Sequence, residues 1–244
     1  MCNRDIPADI KRLARQEANF GCAACGCPVI EYHHIVPFHK VKKHNIENIV
    51  ALCPTCHRKA NENGAWNMDY VISLKKNPYN LSNTKDKFAT ESDNFIVKLG
   101  WFEFHSLGKL IALREQVVLS CIKKEDGIIV VSGIFHDIHG NLIATIEENE
   151  WNVKTNKVWD IEYISGSRLT VRKGKRNVVL KMTITNTSLE IQQCFFIKDN
   201  LKLKLYGSKN NPTVKIEASN TFMRSNKEKV IFKNPGPGPA LTLQ

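Results

Sequence analysis

Four cysteines near the start of the chain are spaced as two pairs that could bind one metal ion. Cys22 and Cys25 form one C-x-x-C pair, and Cys53 and Cys56 form the other. Each pair places two thiolates on one side of a tight turn, and two such turns complete a tetrahedral sulfur site that suits a structural zinc. Cys27, close to the first pair, is an alternative ligand. The spacing predicts a zinc that stabilises a module too small to be stable alone.

The histidines between and after these pairs are candidates for different chemistry. His33 and His34 are neighbours in VIEYHHIV (29–36), which is typical of a short strand. Adjacent strand residues point to opposite faces, so the two imidazoles are suited to separate roles beside a metal ion rather than to joint chelation. His57 directly follows the last cysteine of the second pair. Asn61 comes one helical turn later, on the same face of the predicted helix as His57.

Local patterns also predict the elements that must position these residues. Pro7 suits the first turn of a helix, and Pro54 suits the start of another that Gly64 would stop. The segment between the cysteine pairs indicates two short strands joined by a polar loop. In order, the prediction is a helix (7–19), a strand (29–36), a polar loop (38–47), a strand (48–52), a helix (54–63) and a helix (66–76).

From residue 95 onward the pattern changes to short β-rich segments. LKLKLY (201–206) and TVKIEA (213–218) alternate apolar and polar residues with a period of two. Many such segments separated by turn residues favour a meander, a sandwich or a solenoid-like sheet. The predicted fold class is therefore α+β. Its parts are a zinc-stapled module at 1–76, a polar linker at 77–94, an all-β domain at 95–234 and an extended, poorly ordered tail at 235–244.

The composition favours a polyanionic partner. The formal net charge is +11 and the pI is about 9.3. This balance suits nucleic acid, although a lysine-rich solubilising surface is the alternative. A basic cluster at 168–176 allows the same two interpretations, and the solvated face is favoured. No apolar run is long enough for a membrane span or a signal peptide, so we expect a soluble, cytoplasmic protein with no membrane partner.

The segment 20–63 resembles the HNH, or ββα-metal, endonuclease family. The strings that match are EYHHIVP, ENIVALC and PTCHRKAN, and the three signature residues fall at His34, Asn48 and His57. His33 occupies the position before the first signature histidine, where the family usually has Asp, Glu or His. The family often has a Gly-Gly turn in the loop. KKHNIE stands there in this chain, so the resemblance does not extend to the loop's conformation.

This resemblance implies a one-metal hydrolysis of phosphodiester bonds. His34 would be the general base that activates water, a task that suits an imidazole at neutral pH. His33 and His57 would hold a catalytic Mg²⁺ or Mn²⁺, with Asn61 as a candidate third ligand. The ion would polarise the phosphate and stabilise the leaving oxyanion. Asn48 would hydrogen-bond the loop backbone and so hold the base in register.

The implied substrate is nucleic acid, with double-stranded DNA favoured, and Arg58 and Lys59 would bind its phosphates. Two alternatives stay open: an RNA-directed nuclease, and a zinc-dependent nucleic-acid-binding protein that does not cut. The string GNLIATIEENEWNV resembles a β-domain found behind HNH modules in some bacterial proteins. Such a layout suits a regulated effector, for example in anti-phage defence, whose β-domain senses a trigger, binds DNA or forms homo-oligomers. His39 and His44 are predicted to be surface residues of the loop, without a role.

Overall fold

The computed structural model divides the chain into two compact units. The N-terminal unit combines Met1–Thr84 with Lys154–Gly166, and the β unit combines Lys85–Val153 with Ser167–Gln244. The predicted linker at 77–94 contains a strand, and the boundary between the units falls beside Thr84. The structure describes residues 5–61, 63–79, 82–90, 94–105, 107–208, 211–218, 221–224, 230–232 and 239–243.

A two-stranded antiparallel sheet and short helices form the described part of the N-terminal unit before residue 80. Its elements are α1 (Ala8–Glu17), β1 (Glu31–His34), α2 (Phe38–Val41), a 3-10 turn (Ile46–Asn48), β2 (Ile49–Leu52), α3 (Pro54–Ala60) and α4 (Met68–Lys76). In the register of β1 and β2, His33 lies opposite Val50 and His34 opposite Ile49. The predicted order of elements agrees, except that the loop after β1 contains α2 and the 3-10 turn.

The helix α3 begins as the sequence predicts and ends earlier. Pro54 occupies the first turn, where a missing N–H costs nothing, and the Cys53 sulfur accepts a hydrogen bond from the backbone N–H of Cys56. The helix ends because Asn61 adopts an extended conformation, with φ −65° and ψ 160°. The chain then folds back so closely that a Cβ at Gly64 would lie 2.1 Å from the carbonyl oxygen of Lys59. Only glycine fits this turn.

Short strands make up the β unit and also occur in the 154–166 segment of the N-terminal unit. In chain order the strands after β2 are β3 (Asn83–Lys87), β4 (Ile96–Leu99), β5 (Phe102–Phe104), β6 (Gly108–Leu113), β7 (Gln116–Lys123), β8 (Ile129–His136), β9 (Leu142–Glu147), β10 (Glu150–Lys154), β11 (Asp160–Ile164), β12 (Arg168–Gly174), β13 (Asn177–Ile184), β14 (Ser188–Lys198), β15 (Leu201–Ser208), β16 (Asn211–Ala218), β17 (Thr221–Arg224), β18 (Val230–Phe232) and β19 (Leu241–Leu243). A β-rich region after the N-terminal module is confirmed.

Two meanders supply the core of the β unit. One sheet runs β19-β6-β7-β8-β9-β10 and the other runs β12-β13-β14-β15-β16-β17. The two sheets pack where Phe135 of β8 meets Phe196 of β14, with ring centroids 5.5 Å apart. Trp151 of β10 is fully buried, as are alternate residues of β8 and β10. This inward-outward alternation is what a strand with one face in the core shows.

The segment 154–166, predicted to belong to the all-β domain, is part of the N-terminal unit. Nε and Nη2 of Arg15 each donate to a different carboxylate oxygen of Asp160 at 2.8 Å, and the two residues are only 5% and 3% exposed. Nη1 of Arg15 donates to the hydroxyl of Tyr32 on β1. Burial opposes the guanidinium charge, but Asp160 outweighs it and raises the pKa of Arg15. One buried ion pair thus joins α1, β1 and β11.

The end of the chain contains a strand rather than only an extended tail. Leu241–Leu243 forms β19 and pairs in parallel with β6. Residues 235–238 of the predicted tail lie outside the described residues. Among the residues that are described, none of the helices combines the length and the apolar character needed to cross a membrane.

Candidate functional site

The four paired cysteines converge on one point. Their Sγ atoms all lie within 4.8 Å of one another, with Cys25 at 3.8 Å from Cys53 and 4.0 Å from Cys56. Four thiolates around zinc at about 2.3 Å lie about 3.8 Å apart, so the set fits a structural zinc. Burial raises the pKa of the Cys22 thiol to about 11, and a bound cation is what favours its thiolate form. Cys27 lies outside this cluster.

Backbone contacts explain why the first cysteine pair sits where it does. The N–H groups of Cys25 and Gly26 both donate to the carbonyl of Cys22, which closes the tight turn. Ala23 donates to Ala51 on β2, so the turn is fixed to the sheet that also holds the histidines. A Cβ at Gly21 would lie 2.7 Å from the carbonyl oxygen of Gly26. Backbone hydrogen bonds therefore fix the cysteine cluster to the sheet that carries the histidines.

His33 and His57 face each other across β1 and α3. Their ring centroids are 5.1 Å apart at an interplanar angle of 77°. Burial, and then the neighbouring His57 and His34, lower the pKa of His33 to about 4. His33 is therefore uncharged at neutral pH and keeps a lone pair for a metal ion. Asn61 is the C-cap residue of α3, with a φ of −65°, and it lines the same groove as His57.

His34 has different neighbours from His33, as strand alternation predicts. Its Nε2 lies 3.1 Å from Nδ1 of His44, and its ring centroid lies 5.4 Å from that of Phe38. Phe38 in turn stacks on His44 with centroids 4.7 Å apart and a 13° angle. Burial, and then His44 and His57, lower the pKa of His34. His44, to which the sequence assigned no role, thus contacts the candidate base.

Asn48 clamps the backbone just after His34. Its Oδ1 accepts from the N–H of Val36 at 2.7 Å, and its Nδ2 donates to the carbonyl of Val36 at 2.9 Å. The carbonyl of Asn48 also accepts from the N–H of Ile35 at 3.0 Å. A side chain that satisfies both backbone polar groups of one residue fixes that loop in a single conformation. The backbone is therefore fixed where the chain leaves β1, directly after His34.

The three histidines of β1 and α3 open onto one groove of about 1180 Å³. Lys40 and Arg58 line it and supply positive charge. Lys59 is not among the lining residues, and its ammonium lies 5.7 Å from the ring centroid of Trp66, which does line the groove. The groove thus offers metal-binding imidazoles and cations that suit a phosphodiester.

Sequence reasoning missed one residue that contacts a candidate ligand. Glu31 Oε2 lies 2.6 Å from Nδ1 of His57. Glu31 precedes His33 by two positions, and strand alternation places both on one face, so a signal was present in the sequence. The position of α3 over that face, which brings in His57, was not predictable from spacing.

The site consists of two antiparallel strands and a helix, with histidines on a groove and a cysteine cluster beside it. This arrangement is that of the ββα-metal class of folds. Residues 22–63 match the family model described as HNH endonuclease. No curated protein and no solved structure matches the chain. The match identifies an HNH domain at 22–63, and that range includes the four clustered cysteines and the residues His34, Asn48 and His57.

Proposed function

We propose that the protein is a divalent-metal-dependent endonuclease that hydrolyses phosphodiester bonds in DNA. The observation that supports this most is the convergence of His33, His34 and His57 on one positively lined groove within the HNH domain. A zinc-binding module that only bound nucleic acid would need cations at this groove but not a clamped histidine beside two facing imidazoles.

Each residue has a defined task in this mechanism. His33 and His57, with Asn61 as the third candidate, hold a Mg²⁺ or Mn²⁺ ion, which when bound polarises the phosphate and stabilises the leaving oxyanion. His34 accepts the proton of the attacking water. If Nε2–H of His34 donates to His44, Nδ1 is the nitrogen that takes this proton. The neutral state of His33 keeps it a ligand rather than a competing cation.

A polyanionic substrate is proposed because of charge, and DNA is the polyanion that the proposal names. The net charge is +11, and Lys40 and Arg58 line the groove where the scissile phosphate would sit. Phosphate contacts of this kind supply affinity without sequence readout. We therefore propose that Arg58 contacts the backbone at the site and that Lys59, held over Trp66, contacts a neighbouring phosphate.

The test compares substrates and metals in one assay. Supercoiled plasmid and a structured RNA are each incubated with the protein in Mg²⁺, in Mn²⁺ and in EDTA. The proposal expects plasmid cleavage with at least one metal, none in EDTA, and slower cleavage of RNA. Faster cleavage of RNA than of plasmid would show that RNA, and not DNA, is the substrate. Binding without cutting on any substrate with any metal would establish the non-catalytic alternative.

We propose that the β unit regulates this activity, with anti-phage defence as the setting. It has its own apolar core, and among the described residues the one group of cysteines, histidines or acids arranged for a metal lies in the N-terminal unit. A β-rich unit that follows a nuclease domain suits sensing or homo-oligomer assembly. Light scattering with and without candidate triggers tests this, and a constitutively active monomer would contradict it.

A further inference from the structure

A carboxylate holds one nitrogen of His57. Glu31 opens β1, and its Oε2 lies 2.6 Å from Nδ1 of the His57 ring on α3. The same ring lies edge-on to His33, which shares the face of β1 with Glu31. Glu31 therefore reaches the ring from the side of Nδ1, while the ring itself stands beside the other histidine of the candidate metal pair.

An imidazole can bind a metal through only one nitrogen at a time. A neutral ring carries its proton on either Nδ1 or Nε2, and the nitrogen without the proton is the ligand. A carboxylate beside Nδ1 accepts a hydrogen bond and so keeps the proton there. Metal-binding histidines commonly have such a partner, which fixes both the tautomer and the ring orientation.

We propose that Glu31 is a positioning residue that holds His57 with its proton on Nδ1 and so presents Nε2 to the divalent cation. This inference rests on the proposed function, because it concerns the ion of that same site. The Glu31 side chain is half exposed and its near oxygen is already engaged by His57, so Glu31 acts through that ring rather than as a ligand.

The first readout is metal affinity in the full chain with its structural zinc. Isothermal titration with Mn²⁺ should show binding about 10–100-fold weaker for Glu31→Ala than for the wild-type protein. Glu31→Gln, whose amide oxygen still accepts from Nδ1–H, should recover most of the affinity. Glu47→Ala is the matched control, since Glu47 is an exposed acid of the same unit outside the groove. Equal zinc content shows that each variant has folded.

The second readout is the tautomer of His57. Long-range ¹H–¹⁵N spectra should show the proton on Nδ1 in the wild-type protein and in Glu31→Gln, with a shift of population toward Nε2–H in Glu31→Ala. Affinity unchanged in Glu31→Ala would overturn the inference. So would a Glu31→Gln variant as weak as Glu31→Ala, because that result makes the carboxylate itself the ligand.

These outcomes separate the inference from the proposed function. A wild-type protein that binds Mn²⁺ through a Glu31-dependent His57 but cuts no nucleic acid would refute the nuclease and leave the inference standing. A wild-type protein that cuts, with Mn²⁺ affinity independent of Glu31, would do the reverse. A wild-type protein that binds neither Mn²⁺ nor Mg²⁺ would overturn both.

Discussion

The two units of the molecule are stabilised by different means. The N-terminal unit has a two-stranded sheet, and its fold depends on a cysteine cluster and on the buried pair of Arg15 and Asp160. The β unit is stabilised by apolar side chains between two meanders, such as Phe135 and Phe196. The unit with the smaller apolar core contains the candidate chemistry. Loss of the metal or of one of these charges should therefore destabilise the N-terminal unit and leave the β unit folded.

Loss of zinc should produce the largest difference in stability between the two units. Cys53→Ser removes a ligand of a site that supplies on the order of 10 kcal/mol of folding free energy, so the N-terminal unit should unfold. Calorimetry should then show the β unit's transition alone. Cys27→Ala, which removes a nearby cysteine outside the cluster, should keep one zinc and both transitions. Unfolding of both units together in Cys53→Ser would contradict the comparison.

The second-largest effect is expected from breaking the buried ion pair of Arg15 and Asp160. Asp160→Ala leaves the guanidinium of Arg15 buried without its partner and should destabilise the N-terminal unit by about 3–5 kcal/mol, measured by chemical denaturation. Glu162→Ala is the matched control, because Glu162 lies 3.8 Å from Arg15 and is partly exposed, and it should cost less than about 1 kcal/mol. The double variant Arg15→Met with Asp160→Leu should recover most of the loss. Equal costs for the two single variants would refute this role.

Asp137 should matter to the β unit alone, and its effect should depend on pH. Its oxygens accept from the N–H groups of His139 and Asn141 and from Lys173 Nζ at 2.7 Å. Burial opposes the charge, but Lys173 and the turn outweigh it and hold the pKa of Asp137 below its usual range. This stabilisation is fully present above the unfolded pKa of about 3.9 and is lost as pH falls below it.

Asp137→Asn should therefore destabilise the β unit by about 1–3 kcal/mol at pH 7 and flatten its loss of stability in acid. Thermal melts from pH 7 down to pH 3 measure both effects. Asp126→Asn is the control, since Asp126 accepts from Ile128 in an exposed turn. A cost in Asp126→Asn as large as in Asp137→Asn would remove the special role of the buried carboxylate.

His44 should affect chemistry without affecting stability. His44→Ala removes the contact to Nε2 of His34 and should lower kcat about tenfold, the equivalent of one hydrogen bond, while both thermal transitions stay in place. His44→Gln should recover part of the rate because its amide oxygen can accept from His34. His39→Ala, in the same loop, should cut at the wild-type rate. A rate loss in His39→Ala equal to that in His44→Ala would show a general loop effect.

The candidate site was predictable where chelation imposes short spacing. Two C-x-x-C pairs can be identified from sequence because the tight turn that brings two thiolates to one ion leaves only two residues between them. The predicted end of the helix at residue 63 was wrong because the chain leaves the helix at Asn61 and folds back at Gly64. The contacts of Glu31 and His44 depend on how a helix and a loop pack on β1, which local spacing does not specify.

The fold was predictable in its elements more than in its connections. Alternation identified segments such as β15 because one face of that strand is buried. The assignment of 154–166 to the N-terminal unit was not predictable, since Arg15 and Asp160 are 145 positions apart and nothing local marks them as partners. Sheet order was not predictable for the same reason, as the parallel pairing of β19 with β6 illustrates.

The most direct test of the account is the cleavage rate of His34→Ala with Mn²⁺ on plasmid DNA. The wild-type protein should cut, and the variant should cut about 10²–10⁴-fold more slowly, because it has lost the base that activates water. Its zinc content, Mn²⁺ affinity and DNA binding should equal those of the wild-type protein. Cleavage by His34→Ala at the wild-type rate would contradict the account.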